Sequence, residues 1–290
     1  MFEKLLVATD LSPASDCLLQ CAGELKDVGL KKVILTHVVY VANTPGMEDA
    51  LEAEASPALL RQKKALEEQG IAVETRMPFG IPAHCLNDLS EKNNVDAIVV
   101  GSRGRSIAQR ALLGSVAFKL LQVAHKPVLL ARVRLLGEGE TCRFSVCQKL
   151  FARILFPTDF SETAQHAFWH LEQIAPELKG PVTLLHVQDS ADWEINLSGQ
   201  QAAEQGKIDQ ERLEVLRQRL AAKGVQVDAE LAVGVPREEI LQRAASGDYS
   251  LIAMGTQGKG FFREAFLGSL AHEIACQSEL PVLFFPCRNA

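Results

Sequence analysis

The second half of this chain repeats the first. Leu5-Leu6-Val7-Ala8-Thr9-Asp10-Leu11-Ser12 aligns with Ile154-Leu155-Phe156-Pro157-Thr158-Asp159-Phe160-Ser161 at an offset of 149. Leu35-Thr36-His37-Val38 aligns with Leu184-Leu185-His186-Val187 at the same offset. Further along the offset becomes 154, where Phe79-Gly80-Ile81-Pro82 meets Val233-Gly234-Val235-Pro236, Gly101 meets Gly255, and Gly114-Ser115 meets Gly268-Ser269. Lys126-Pro127-Val128-Leu129 and Leu280-Pro281-Val282-Leu283 complete the series. Five residues have entered the second half between His186 and Gly234. A period this long is a whole domain rather than a solenoid repeat, so each copy must bury a core of its own. The 290 residues accommodate two domains of ordinary size.

The segment Leu136-Gly137-Glu138-Gly139-Glu140-Thr141 has no apolar period and reads as a linker, which places the domains at 1–140 and 149–290. Within the first copy, short apolar runs at Leu5–Thr9, Lys32–Val38, Ala72–Met77, Ala97–Gly101 and Val128–Val133 alternate with helical spacing. The helical stretches are Ser12–Lys26, Pro57–Gln69, Pro82–Lys92 and Ser115–Ala124, with the prolines at first-turn positions. Runs apolar on both faces, joined by helices, imply a parallel sheet covered on both sides. The expected fold class is α/β, twice over.

Composition narrows the functional classes. Hydrophobic residues make up 47% and charged residues 23%, and glycine and proline number only 20 and 12, which are globular values. No apolar run approaches a membrane span, and Met1-Phe2-Glu3-Lys4-Leu5 does not start a secretory signal, so the expected compartment is the cytoplasm. The net charge of −6 argues against a general nucleic-acid binder, which needs a basic face. Seven cysteines in such a chain read as reduced thiols. Cys17 and Cys21 are four apart on one expected helix, Cys142 and Cys147 fall in the linker, and neither pair has zinc spacing. No metal ligands are assigned.

Chemistry concentrates at the ends of the first and fourth strands. In an open parallel sheet, ligands bind beyond the carboxyl ends of strands where the strand order reverses. Asp10 and Asp159 each end a first strand, and Gly101 and Gly255 each end a fourth. A loop follows each fourth strand: Gly101, Gly104 and Gly114-Ser115 in the first copy, Gly255, Gly258 and Gly268-Ser269 in the second, both with the spacing G-x2-G-x9-G-S. Glycines let backbone N–H groups approach an anion closely, and a Gly-Ser helix start adds a hydroxyl and the positive end of the helix dipole. The recurrence of this spacing marks it as a phosphate cradle. Strand-end turn capping is the alternative role for the two aspartates. His37 and His186, at the ends of apolar strands, read as satisfied, partly buried imidazoles.

The repeated loop, the Thr-Asp-x-Ser after the first strand, the Leu-x-His-Val around the second and the closing Pro-Val-Leu strand together resemble the universal stress protein family in its tandem, two-domain form. The resemblance spans nearly the whole chain. It implies sheet order 3-2-1-4-5 in each domain, an internal pseudo-dimer with the last strands near its contact, and binding of ATP, or of ADP or AMP, with magnesium. By the same resemblance Asp10 and Asp159 lie by the adenosine, and the backbone at Val38 and Val187 reads the adenine edge. Gly101, Gly104, Gly114 and Ser115, with Gly255, Gly258, Gly268 and Ser269, hold ribose and phosphates. The first loop carries Arg103, Arg105 and Arg110; the second carries Lys259, Arg263 and Glu264. Residues 1–149 carry 18 basic and 17 acidic side chains, against 12 and 19 in 150–290. Polyphosphate is therefore expected to favour the first site, with Arg103 among its ligands. Phe261 and Phe262 are expected to line or obstruct the second.

The sequence lacks G-x4-G-K-[ST], G-x-G-x-x-G, the kinase His-Arg-Asp set, His-x-Gly-His and Ser-Gly-Gly-x-Asp-Ser. No catalytic residues are assigned, and a nucleotide-sensing regulatory module is favoured over efficient turnover. A slow ATPase or autophosphorylating enzyme, and a scaffold in which one copy has lost its ligand, are the alternatives. Protein partners are not legible, association of two chains stays open, and neither nucleic acid nor membrane is expected. The acidic, helix-prone insert Asp189–Gln210, with Trp193, Ile195 and Leu197, either covers a crevice or packs elsewhere.

Overall fold

The computed structural model describes residues 2–20, 25–26, 29–40, 46–102, 113–132, 150–178, 180–190, 199–258 and 266–286. The chain divides into two compact units, Met1–Gln148 and Lys149–Ala290. Linker residues 136–149, with Cys142 and Cys147, lie outside the described residues, as do Cys21, Trp193, Ile195 and Leu197.

In the first unit the strands are β1 (Lys4–Ala8), β2 (Lys32–Thr36), β3 (Ala72–Arg76), β4 (Ala97–Gly101) and β5 (Val128–Ala131). Their order is β3-β2-β1-β4-β5, and every rung is parallel. The helices are α1 (Pro13–Gln20), α2 (Glu48–Glu68), α3 (Pro82–Lys92) and α4 (Ser115–Val123). The second unit repeats the plan with β6 (Ile154–Pro157), β7 (Val182–Asp189), β8 (Val227–Gly234), β9 (Leu251–Gly255) and β10 (Val282–Phe285), in order β8-β7-β6-β9-β10. Its helices are α5 (Glu162–Ile174), α6 (Gly199–Ala221), α7 (Pro236–Ala245) and α8 (Ser269–Gln277). Each unit thus has the 3-2-1-4-5 order, with helices over both faces of its sheet.

Burial explains the strand choice. Leu5, Leu6 and Val7 are consecutive and all buried, as are Ile154, Leu155 and Phe156, which requires cover on both faces. The outer strands β3 and β8 are only half-buried and carry Glu74, Arg76, Asp228 and Glu230, charges that discourage further strand pairing. Pro82 and Pro236 open α3 and α7, where a missing N–H costs nothing. None of the described helices is long and apolar enough to cross a membrane.

Three expectations are corrected or refined here. Helix α2 begins at Glu48, nine residues before Pro57, which lies inside it rather than in its first turn. Pro57 cannot donate to the Ala53 carbonyl, a defect the exposed Glu- and Ala-rich helix tolerates, with Ser56 Oγ bonding the Glu52 carbonyl alongside at 2.7 Å. The second-half insertion leaves the strand register unchanged: Leu185 pairs with Glu230 as Thr36 pairs with Arg76, with the ladder running from Val182–Val227 through Asp189–Gly234, and residues 199–210 of the expected insert form the first half of α6. Finally, Cys17 is buried and disulfide-bonded, not a reduced thiol, whereas Cys85 and Cys276 are free. An argument from cysteine count concerns the average thiol, while bond formation depends on two sulfurs coming within reach.

Burial, reinforced by the Asp88 carboxylate, pushes the Cys85 thiol up from its ordinary value, and its Sγ lies 3.6 Å from the Phe79 carbonyl. Thiolate is the reactive form, so at pH 8 Cys85 should alkylate more slowly than an unstructured peptide cysteine. Peptide mass spectrometry during iodoacetamide treatment checks this; an equal or faster rate contradicts it.

Candidate functional site

The turn after the first strand of each unit is built the same way. Asp159 Oδ1 accepts from Ser161 N at 3.0 Å and Ser161 Oγ at 2.5 Å. Ser161 then caps α5, its Oγ accepting from Ala164 N. Phe160 between them has φ 59°, and its N–H donates to Thr158 Oγ1 at 3.2 Å. In the first unit Leu11 has φ 61°, and Asp10 Oδ1 accepts from Ser12 N, Ser12 Oγ and Ser15 Oγ at 3.1, 2.5 and 2.6 Å. A bulky residue in this left-handed region stores about 1–3 kcal/mol, which the aspartate and its serine hold in place. One oxygen of each aspartate therefore serves the turn. The second oxygen of Asp159 lies beside the glycine loop.

That loop folds back onto its own start. Gly268 N donates to Thr256 O at 2.9 Å, and Thr163 Oγ1 ties the α5 turn to Gln257 O at 3.0 Å. A Cβ at Gly258 would lie 2.6 Å from Asp159 Oδ2, so only glycine permits the loop to sit against that carboxylate. A Cβ at Gly268 would lie 3.3 Å from Gln257 Cα and Thr256 O. This glycine serves loop closure, because a side chain there would meet the backbone of the loop's own start.

Helix α8 starts at this closure with no side-chain cap on Gly268. Its intrahelical ladder opens with His272 N bonding Gly268 O, which leaves the N–H groups of Ser269, Leu270 and Ala271 without intrahelical acceptors. All three residues line a cavity of about 590 Å³. Asp159, Val187, Gly255, Gly258, Gly268 and Ser269, the six second-copy residues singled out in the sequence, all border this one cavity. In the first unit β1 pairs with β4, setting Asp10 and Gly101 at neighbouring strand ends. Gly114 opens α4 there, with Gly114 N bonding Ser102 O at 2.9 Å and Phe118 N bonding Gly114 O at 2.8 Å, and Ser115 is the first helical residue. Val38 follows β2, between His37 N bonded to Arg76 O and Val39 N bonded to Pro78 O. Arg103, Gly104, Arg105, Arg110, Lys259, Phe261, Phe262, Arg263 and Glu264 lie outside the described residues.

The two histidines are structural. Nδ1 of His37 bonds the Thr9 carbonyl at 2.9 Å and Nδ1 of His186 bonds that of Thr158 at 2.7 Å, so each imidazole clamps its first strand end.

The insert expected either to cover a crevice or to pack elsewhere borders the cavity, but sequence reasoning singled out none of the side chains of this wall. Gln188 on β7 and Gln205 and Asp209 on α6 border it, and Asp209 is only 3% exposed. Asp209 Oδ2 accepts from Gln188 Nε2 at 2.8 Å, while Oδ1 accepts from Gln205 Nε2 at 3.0 Å and Arg212 Nη1 at 3.4 Å. His186 Nε2 lies 3.6 Å from Oδ2, and the Phe160 ring sits 4.4 Å from the imidazole with the Arg212 guanidinium 5.5 Å from the Phe160 centroid. The repeat contained the signal. At the offsets of 149 and 154, Val39, Leu51 and Ala55 take the places of Gln188, Gln205 and Asp209 in the first copy. Leu59 and Leu66 match Leu213 and Leu220, all four buried, so the helix register is secure. Polar residues replacing apolar ones on a buried face of a duplicated fold point to a ligand or a network.

Fold and site together define a duplicated, doubly wound α/β protein with an open helix N-terminus at a cavity by the strand reversal. The profile of the Universal stress protein family matches residues 1–132 and again 150–286. The chain belongs to the universal stress protein family, with two copies of its domain in tandem. A universal stress protein of Mycolicibacterium smegmatis is 26% identical over 299 residues, covering 96% of this chain and 95% of its own. One from Methanocaldococcus jannaschii is 31% identical over 144 residues, which is 46% of this chain and 83% of its own. The crystal structure of a universal stress protein from Archaeoglobus fulgidus covers 99% of this chain and 100% of that one, at 25% identity and a TM-score of 0.79.

Proposed function

We propose that the chain binds ATP, or ADP or AMP, in the crevice of one or both units, and that occupancy is the signal it passes on as a nucleotide-sensing regulatory module of the stress response. The observation that carries this is the uncapped start of α8: three N–H groups and a helix dipole border a cavity of about 590 Å³, within the size range of nucleotide sites. Phosphates take the seat formed by Gly255, Gly258, Gly268 and Ser269, Asp159 stands by the adenosine, and the Val187 backbone meets the adenine edge. In the first unit Asp10, Val38, Gly101, Arg103, Gly104, Gly114 and Ser115 have the corresponding roles. Magnesium enters with the phosphates it neutralises; among the described residues no cluster of three or more His, Cys, Asp or Glu would hold a metal alone.

Holding is favoured over turnover on chemical grounds. Phosphoryl transfer needs a base or positioned water aimed at the γ-phosphate. His186 commits Nδ1 to a carbonyl, Asp159 commits Oδ1 to its turn, and Asp209 is surrounded by amide and guanidinium donors.

Isothermal titration of ATP with MgCl2 into the full chain should show saturable binding of one or two nucleotides. The absence of heat with every purine nucleotide overturns the proposal. Turnover well above about 1 per second replaces it with the enzyme reading.

A further inference from the structure

We infer that the second unit selects the base of its nucleotide, with Gln188 and Gln205, aligned by Asp209, accepting the exocyclic amine of a 6-aminopurine and turning away a 6-oxopurine. The inference rests on the nucleotide reading of the same cavity and adds to it a chemical reason for base choice.

Amide orientation is the first step. Asp209 offers acceptors only, and Nε2 of both glutamines points at it, at 2.8 Å from Gln188 and 3.0 Å from Gln205. On the other arm of each planar amide, Oε1 must then face away from the carboxylate. Among the described residues, no donor bonds either Oε1. Gln188 is 5% exposed and Gln205 half-buried, and both border the cavity, so two carbonyl acceptors with no donor among the described residues stand at this wall.

Such a wall distinguishes purines by the group on C6. An amino group donates to Oε1, as in the general pairing of glutamine with adenine. A 6-oxo group brings another lone pair, which repels the carbonyls and leaves buried acceptors unpaired. A site built to bond a polar group discriminates strongly against an analogue that cannot.

Asp209 acts as a positioning residue: reversing either amide would set a second carbonyl against its oxygens. Arg212 at 3.4 Å and His186 Nε2 at 3.6 Å hold it from two further directions. The first unit lacks the device, because Val39, Leu51 and Ala55 stand at its three positions. Any nucleotide bound there is chosen by other means.

The test titrates ATP and GTP, each with MgCl2, into the full-length wild type, a Gln188→Met/Gln205→Met double variant of similar side-chain volume, and Asp209→Asn. The wild type should show a binding component that prefers ATP by at least about tenfold. In both variants that component's ATP-to-GTP ratio should fall toward one, and adding Asp209→Asn to the double variant should lower it no further, since the three residues act as a unit. A purely structural wall would weaken both nucleotides together and leave the ratio intact. Equal affinity for ATP and GTP in wild type, or a ratio that survives in both variants, overturns the selectivity while leaving the nucleotide seat standing. Failure to bind either nucleotide overturns the seat, and the selectivity with it.

Discussion

Gly258→Ala is expected to remove nucleotide binding from the second unit, with a loss of affinity of about a hundredfold or more. The added Cβ would come within 2.6 Å of Asp159 Oδ2. That carboxylate cannot swing aside cheaply, because Ser161 N and Oγ grip Oδ1 and the same serine caps α5. The loop must move instead, and overpacking of this kind costs about 1–3 kcal/mol in the folded state. The displacement falls on the segment that leads through Gly268 to the open N–H groups of α8. A shift near the upper end of that range corresponds to roughly a hundredfold in dissociation constant, at about 1.4 kcal/mol per factor of ten. Titration calorimetry reads the loss directly. Thermal unfolding gives an independent check, since a ligand at a hundred times its dissociation constant stabilises the folded state by about 2.7 kcal/mol, and that increment should vanish from the second unit. Undiminished affinity in Gly258→Ala would mean that the phosphates sit elsewhere.

Phe168→Ala should be the most damaging core substitution in the same unit, at about 3–5 kcal/mol. Phe168 is 1% exposed and meets Phe156 edge-on, with ring centroids 5.9 Å apart. The Arg219 guanidinium lies 5.0 Å from its ring centroid and bonds Glu172 through Nε at 3.1 Å and Nη2 at 2.6 Å. Truncation opens a void under the sheet and removes the surface on which the half-exposed Arg219 stem and its partner Glu172 rest, so transfer and packing losses add. Both tryptophans, Trp169 and Trp193, belong to the second unit, so their fluorescence during urea unfolding follows that unit alone. A destabilisation under about 1.5 kcal/mol, the usual cost of a tolerated swap, would show that the site repacks and that Phe168 is no keystone.

Much of this molecule can be read along the chain. The strand runs and the glycine spacing that ends at an uncapped helix depend on local pattern, the duplication on matching the two halves, and the 3-2-1-4-5 order on the family resemblance. Leu5 to Val7 are buried on both faces because three apolar residues in succession allow little else. Local pattern misleads where two local preferences compete. Pro57 suggests a helix start, yet the Glu- and Ala-rich residues before it continue the helix, and solvent on that side forgives the lost bond. The disulfide at Cys17 was hidden because cysteine counts describe a compartment and not a distance.

The cavity wall is harder to read along the chain, because its signal lies only in the comparison of the two copies. Gln188 and Asp209 are 21 residues apart, one on a strand and one on a helix, and each alone resembles an ordinary polar residue. Asp159 is legible as a site residue with turn capping as its alternative role, but that one oxygen serves the turn while the other lies beside Gly258, 99 positions later, shows only in the fold. Residue order settles which segments become strands or helices and which turns need glycine, because those preferences act within a few bonds. Packing settles which polar atoms meet, which of their lone pairs are already used, and which are left pointing into the cavity. Those choices depend on distances between segments that share no local signal.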